Sequence, residues 1–456
     1  MRTFALFVSL TATIVLTSAA VSRAADDPVA LTIELFSRDD ADFRAIGLDR
    51  VRHGTTGEAA TYRFAAEIAR QSPERQVELV RALADRGDAA AIPAITALLL
   101  QAKDPAVRSA AVLALGTLGT QVEVAVLKRS LAAAEPEKAA ARRALTIIRG
   151  DAATKELIDA AKFGEPALRP AFIDILADRR AKVALPEFAA MTVDADAAVR
   201  AASLRALEKL GGPEQVAGLI AGVLKAAAGN ERRDAERALV TVCTKNQGHE
   251  KAATIFLDTF KKAPESEQET LLPALGGVGG PGAMAIVDDL IASPDAAKRK
   301  FGLSALSRWP DATVSSRLLD LTAKAQDPAE RSLLLGALIR IAPLPTNNLN
   351  DGQKLELVKK TMQLCQTDEE RARLIERVNA IRTVDAFRLI LPYLDQPPLA
   401  EPACKSLVEL AHHRQLRDAN KEEFTKALDH VIATTKNQEL IQRATAYKDG
   451  KTWERK

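Results

Sequence analysis

The chain has 456 residues and a formal charge of +3, with 47% hydrophobic, 27% charged and only 4% aromatic residues. So balanced a charge excludes general attraction to nucleic acid or to an anionic membrane, and the dominance of Ala and Leu without clustered β-branched or aromatic residues argues against a sheet protein. Cys243, Cys365 and Cys404 stand far apart, with no C-x-x-C and no C-x-x-C-H. That excludes a disulfide framework, a thioredoxin-like centre and covalently attached haem. At most one pair could bridge, and the simplest reading is three small apolar residues buried in helices.

The first stretch, MRTFALFVSLTATIVLTSAAVSRA, sets Arg2 before an apolar run from Phe4 to Leu16 and ends in the small-x-small triplet Ser22-Arg23-Ala24. This is the pattern of a secretory signal peptide spanning residues 1–24. The run falls short of the roughly 20 apolar residues that a spanning helix needs. The mature chain is therefore expected to begin at Ala25, to carry a formal charge of +1 once Arg2 and Arg23 have left, and to lie free in the periplasm or outside the cell.

From residue 25 to 342 one helical phrase keeps returning. DPAVRSAAVLALGTLG at 104–119 reappears as DAAVRAASLRALEKLGG at 196–212 and as DPAERSLLLGALIRIAP at 327–343. Within the first, Val107, Ala111, Val112, Ala114, Leu115 and Leu118 fall at the three- and four-residue spacings of one helical face. Asp104 suits the N-cap, Pro105 the first helical position and Gly119 the stop. A second amphipathic stretch, VEVAVLKRSLAAA, follows each such helix in kind, so the unit is helix, turn, helix. The buried anchor equivalent to Leu115 recurs as Leu83, Leu115, Ile147, Leu176, Leu207, Leu239, Leu275, Leu306, Leu338, Val378 and Leu407. Entry signals accompany it at Ser72-Pro73, Asp104-Pro105, Glu135-Pro136, Glu165-Pro166, Ser293-Pro294 and Asp327-Pro328.

A period near 31 residues carrying two helices predicts an all-α fold, a right-handed α-α superhelix (solenoid) of about eleven helical pairs, because one pair cannot bury its apolar face alone. The stretches DPAVRSAAVLALGTLG, DAAVRAASLRALEKLGGPEQVAGLI and ALADRGDAAAIPAITALL resemble HEAT repeats of the short bacterial kind, from about Leu31 to about Thr435. The resemblance implies a protein-interaction solenoid and leaves activity open. Two units depart from it: NERRDAERALVTVCTKNQGHEKAATIF lacks the Pro entry and Gly stop, and LLPALGGVGGPGAMAIV carries Pro273 inside its helix. The turn-rich PLPTNNLNDG at 343–352 reads as a loop, either a plain one or a joint, before the C-terminal helices and polar tail of 353–456. Trp453 in that tail is either exposed or folded back as a cap.

Candidate chemistry is sparse. Arg108, Arg169, Arg200, Arg299 and Arg331 recur near one repeat position and are either an anion ladder or, as HEAT repeats imply, ties to Asp side chains and helix-end carbonyls. The histidines are His53, His249, His412, His413 and His430. HEAT-like di-iron hydroxylases carry several His-Glu pairs, and only His249-Glu250 is such a pair, so no metal site is expected. There is no G-x-S-x-G, phosphate loop or H-E-x-x-H, and GGVGGPG at 276–282 reads as an inter-helix turn. Two residues before each anchor the side chains are mixed, and Arg205 with Arg237 is the first candidate ligand contact. No catalytic residue, cofactor or nucleic-acid partner is expected. The resulting expectation is a non-enzymatic exported binding or scaffolding protein with a protein partner. An accessory subunit of a cell-envelope enzyme is the first alternative, and a HEAT-like lyase or glycosylase the second.

Overall fold

In a computed structural model the described residues are 27–345 and 348–453, and the expected leader lies outside them. Among them stand twenty-seven α-helices, six short 3-10 turns and no strand. No helix among them is long and apolar enough to cross a membrane.

The chain divides into two compact units, one holding residues up to Gly211 together with Ala217–Lys225, the other Gly212–Val216 and everything from Ala226 onward. Pro343–Gly352 lies inside the second unit, and the helix that follows it, Asp351–Leu364, packs on Ser315–Lys324 and Pro328–Ile341. Each unit is a stack of helical pairs in two layers. In the first, the inner row runs Ala41–His53, Pro73–Arg86, Pro105–Leu118, Glu137–Ile147, Arg169–Asp178 and Ala197–Leu210, each helix packed on the next. Ile92–Gln101, Gln121–Ser130, Asp151–Phe163 and Leu185–Met191 form its second layer. The second unit repeats the plan, its inner row being Asn230–Thr244, Glu265–Val278, Ala296–Ser307, Pro328–Ile341, Asp368–Val378 and Pro397–His412.

Anchor burial shows why the period holds. Leu83, Leu115, Leu176, Leu207, Leu239, Leu275, Leu306, Leu338, Val378 and Leu407 are all buried against the neighbouring pairs. The series extends one unit earlier than expected, to the fully buried Val51 at 32 residues before Leu83. Ile147 is the exception: it is 47% exposed, and Leu145, completely buried, takes the anchor place. The entry explains the slip. Pro136 is the N-cap of Glu137–Ile147 and not its first turn, so the helix starts later in its repeat while the buried position stays in register with Leu115.

The entries at Ser72-Pro73, Asp104-Pro105 and Asp327-Pro328 start helices at the proline as expected. The Asp104 carboxylate accepts from Ala106 N at 2.8 Å and Val107 N at 3.1 Å, and Asp196 does the same for Ala198 N at 2.7 Å. Ser293-Pro294 and Glu165-Pro166 fall short of the helices they announce. The real cap of the first is Asp295, and the second helix begins only at Arg169. The irregular Glu265–Val278 runs straight through Pro273. Its glycines let neighbouring helices come close: a Cβ on Gly276 would stand 2.0 Å from the Ala305 carbonyl oxygen, and one on Gly277 2.8 Å from Val240. Gly279 and Gly280, at φ 66° and 83°, then turn the chain into Gly280–Ala292. GGVGGPG thus closes one helix and opens the next around Gly279, with no strand before it.

Candidate interaction surface

The recurrent arginines are structural ties. Arg108 donates to both Glu137 oxygens at 2.6 and 2.9 Å and to the carbonyls of Leu99 and Ala102. Arg169 holds Asp194 at 2.7 Å and the Ala161 carbonyl, and Arg200 holds the carbonyls of Asp194 and Ala195. Arg299 reaches Glu330, and Arg331 spans Glu370 at 2.8 and 3.1 Å with the Leu364 carbonyl. The guanidiniums of Arg108, Arg169, Arg299 and Arg331 each tether an acid of another repeat, the work for which a planar fork is suited, while Arg200 ties the turn that leads into its own helix. Paired so closely with Arg331, Glu370 has its carboxyl held down to about 2. A second set escaped sequence reading. Arg86, Arg179 and Arg340 sit at the far ends of inner-row helices and donate to carbonyls 31–35 residues earlier; Arg179 alone takes Leu145, Thr146 and Ile148. They answer the orphan carbonyls that every helix leaves at its C-terminus.

The other sequence candidates do not converge. Arg205 is bound to Asp174 at 3.1 Å and Arg237 to Asp234 at 2.8 Å, both on the exposed surface. Arg205 belongs to a charge ladder in which Arg142, Arg205 and Lys209 share Asp174 and Asp178. His249 is exposed at a helix start, and His430 lies 3.3 Å from Asp395. No cluster of three His, Cys, Asp or Glu suited to a metal occurs among the described residues. All three cysteines are free and buried, and burial pushes their thiols up, Cys243 to about 12 and Cys365 and Cys404 to about 11.

What the fold does build is an apolar groove in the first unit. The helices Gln121–Ser130 and Asp151–Phe163 and the start of the next pair enclose about 730 Å³, lined by Ala125, Ala132, Ala160, Leu168 and the buried Phe172 along its floor. Phe163, 78% exposed, forms its wall, and the Lys162 ammonium lies 5.2 Å from the ring centroid. A smaller groove of about 340 Å³ adjoins it through Ala132 and Arg129 and runs to Leu100, 67% exposed. Charges around the grooves are partly spent: Lys128 pairs with Glu156 and Arg108 with Glu137. Arg129, Asp159 and Glu165 are exposed and make no side-chain hydrogen bond or ion pair among the described residues. Isolated exposed apolar residues are ordinary, but an aromatic beside a shared apolar trough is the composition of a protein-binding spot. The signal lay in the helix face: Phe163 stands seven residues after Glu156 and four after Asp159, so an aromatic closes an otherwise charged row.

Residues 63–146 and 154–240 match the family model for HEAT repeats. These two stretches are HEAT repeats. No curated protein matches it in sequence. Among solved structures it is similar to the karyopherin Kap121p bound to the extreme C-terminus of the protein phosphatase Cdc14p, at 12% identity and a TM-score of 0.48, covering 95% of this chain and 55% of that one. It is also similar to a chain in a homology model of the full-length AP-3 complex in an intermediate open conformation (13% identity, TM-score 0.40, 95% and 94% covered). Human deoxyhypusine hydroxylase in complex with glycerol is a third (21%, TM-score 0.25, 63% and 98% covered). The chain thus spans about half the length of the karyopherin it matches.

Proposed function

We propose that the chain is an exported, non-enzymatic scaffold that seats a segment of a protein partner in the groove beside Phe163. The observation that carries the reading is the exposed Phe163 ring standing over an apolar floor, flanked by free charges of both signs. A fitting segment offers one large apolar side chain to the trough and a basic neighbour to Asp159 and Glu165. HEAT repeats favour the scaffold class, since stacked pairs present long surfaces and few convergent side chains. Export rests on Arg2, the apolar run Phe4–Leu16 and Ser22-Arg23-Ala24.

Selection of a random peptide display library on the full chain tests the groove. Wild type should enrich peptides carrying an aromatic or Leu next to Lys or Arg, and Phe163→Asp, at a residue 78% exposed, should lose them while melting at the same temperature. Enrichment indifferent to Phe163→Asp would defeat the assignment. Intact mass of the protein from its native cell should place the first residue at Ala25; retention of Met1 in the cytosolic fraction would overturn the export reading. Turnover of a metabolite panel by the purified chain would overturn the non-enzymatic one.

A further inference from the structure

The end of the second unit carries a pocket of different chemistry. Helices Lys421–Thr434 and Gln438–Lys448 pack on Pro397–His412. Trp453 comes to rest with its ring centroid 5.5 Å from the Arg443 guanidinium carbon. Arg443 is tied to Glu409 at 2.7 Å and lies 4.0 Å from Glu439. Beneath it Tyr447, only 2% exposed, shares a 2.9 Å hydrogen bond with His412 Nδ1 and receives the Arg417 guanidinium 5.5 Å from its ring centroid. Glu409, His412, Glu439, Arg443, Tyr447 and Trp453 together bound about 460 Å³ of open space.

Two features set this pocket apart from a plain cap. The Arg443 Nε is buried and has no hydrogen-bond partner, one of three such side-chain atoms among the described residues. A buried donor left unmade costs free energy until an acceptor meets it. The second feature is the balance of charge. One guanidinium and two carboxylates ring the opening, so an anion meets Glu409 and Glu439, and a cation meets Arg443. A neutral ligand rich in hydroxyls escapes both conflicts, because each hydroxyl both donates and accepts. Glu439 and the free capacity of Glu409 accept from it, and Arg443 donates to it. The indole of Trp453 offers an electron-rich face to slightly positive C–H groups. A pyranose ring has one such C–H face and a hydroxyl rim, and the volume suits one or two rings.

We infer that the pocket under Trp453 is a binding site for a neutral saccharide. This assignment is independent of the groove at Phe163, which lies in the other unit. The chain has two tryptophans, and the other, Trp309, is buried with its Nε1 hydrogen bonded to Thr313. Fluorescence therefore isolates the site. The full chain is titrated with glucose, N-acetylglucosamine, maltose and cellobiose, with lysine and inorganic phosphate as charged controls, and calorimetry runs in parallel. At least one neutral sugar should shift the emission saturably, with affinity on the order of millimolar to micromolar. Trp309→Phe should keep the response. Trp453→Ala should weaken binding by calorimetry at least tenfold, and Glu439→Gln several-fold, both with unchanged helical circular dichroism and melting. Absence of saturable binding by every neutral sugar overturns the assignment, as does preference for lysine or phosphate, or affinity unaltered in Trp453→Ala.

Discussion

Replacing Glu370 by Gln should remove the strongest inter-repeat tie of the second unit. The Arg331 and Glu370 side chains are 13% and 9% exposed, and the carboxylate also accepts from the backbone N–H of Gln366 at 2.7 Å and of Thr367 at 3.3 Å. These bonds hold its carboxyl at about 2 in place of the ordinary 4.5. A lowered carboxyl stabilises the fold above its unfolded value and ceases to do so as pH falls through its folded one. The interval from 4.5 to about 2 is worth about 3 kcal/mol at neutral pH. Urea unfolding of wild type and Glu370→Gln, followed by circular dichroism, should therefore differ by about 3 kcal/mol at pH 7 and by roughly half that at pH 3. A difference under about 1 kcal/mol at pH 7, or one unchanged between pH 7 and pH 3, would refute the reasoning, since either means the pair exchanges protein contacts for equally good hydration.

Three further outcomes follow from packing. Leu115→Ala or Leu145→Ala should cost about 2–5 kcal/mol, whereas Ile147→Ala, on an exposed side chain, should stay within about 0.5 kcal/mol; hydrogen exchange should show loosening confined to adjoining pairs after Leu115→Ala. Gly276→Ala should destabilise by about 1–3 kcal/mol or more, measured by thermal melting, because its Cβ would collide with the Ala305 carbonyl. The three thiols should resist a disulfide-exchange reagent at pH 8 in the folded protein and react fully once denatured, since burial both hides them and suppresses thiolate.

Much of the fold was legible because each repeat states the same physics in a short window. Asp104 and Asp196 announce helix starts in their own side chains, and aliphatic anchors return at the spacing that stacking demands. The reading failed where a local signal competes with register. Pro136 looks like a first-turn proline, but the helix begins one residue after it, and Ile147 was taken for the buried Leu145 two positions earlier. The arginines at 108, 169, 200, 299 and 331 were readable as ties because an acid lies near each in the repeat. Arg86, Arg179 and Arg340 were not, since their partners are backbone carbonyls some thirty residues away, which leave no mark on composition. The groove was the least legible part. Its floor comes from alanines that look like ordinary core, and only the placement of Phe163 on a charged helical face marks it. The pocket under Trp453 depends on that side chain lying over Arg443, where the sequence offered both outcomes.

Site-specific photo-crosslinking in the native cell tests the central claim most directly. A photoreactive phenylalanine analogue replaces Phe163 in one strain and Val122, 80% exposed at the opposite end of a groove helix, in another. The account predicts a discrete crosslinked protein from position 163, reduced when Asp159 and Glu165 are both changed to Lys, and none from position 122. No adduct at 163, or the same adducts from both positions, would contradict it.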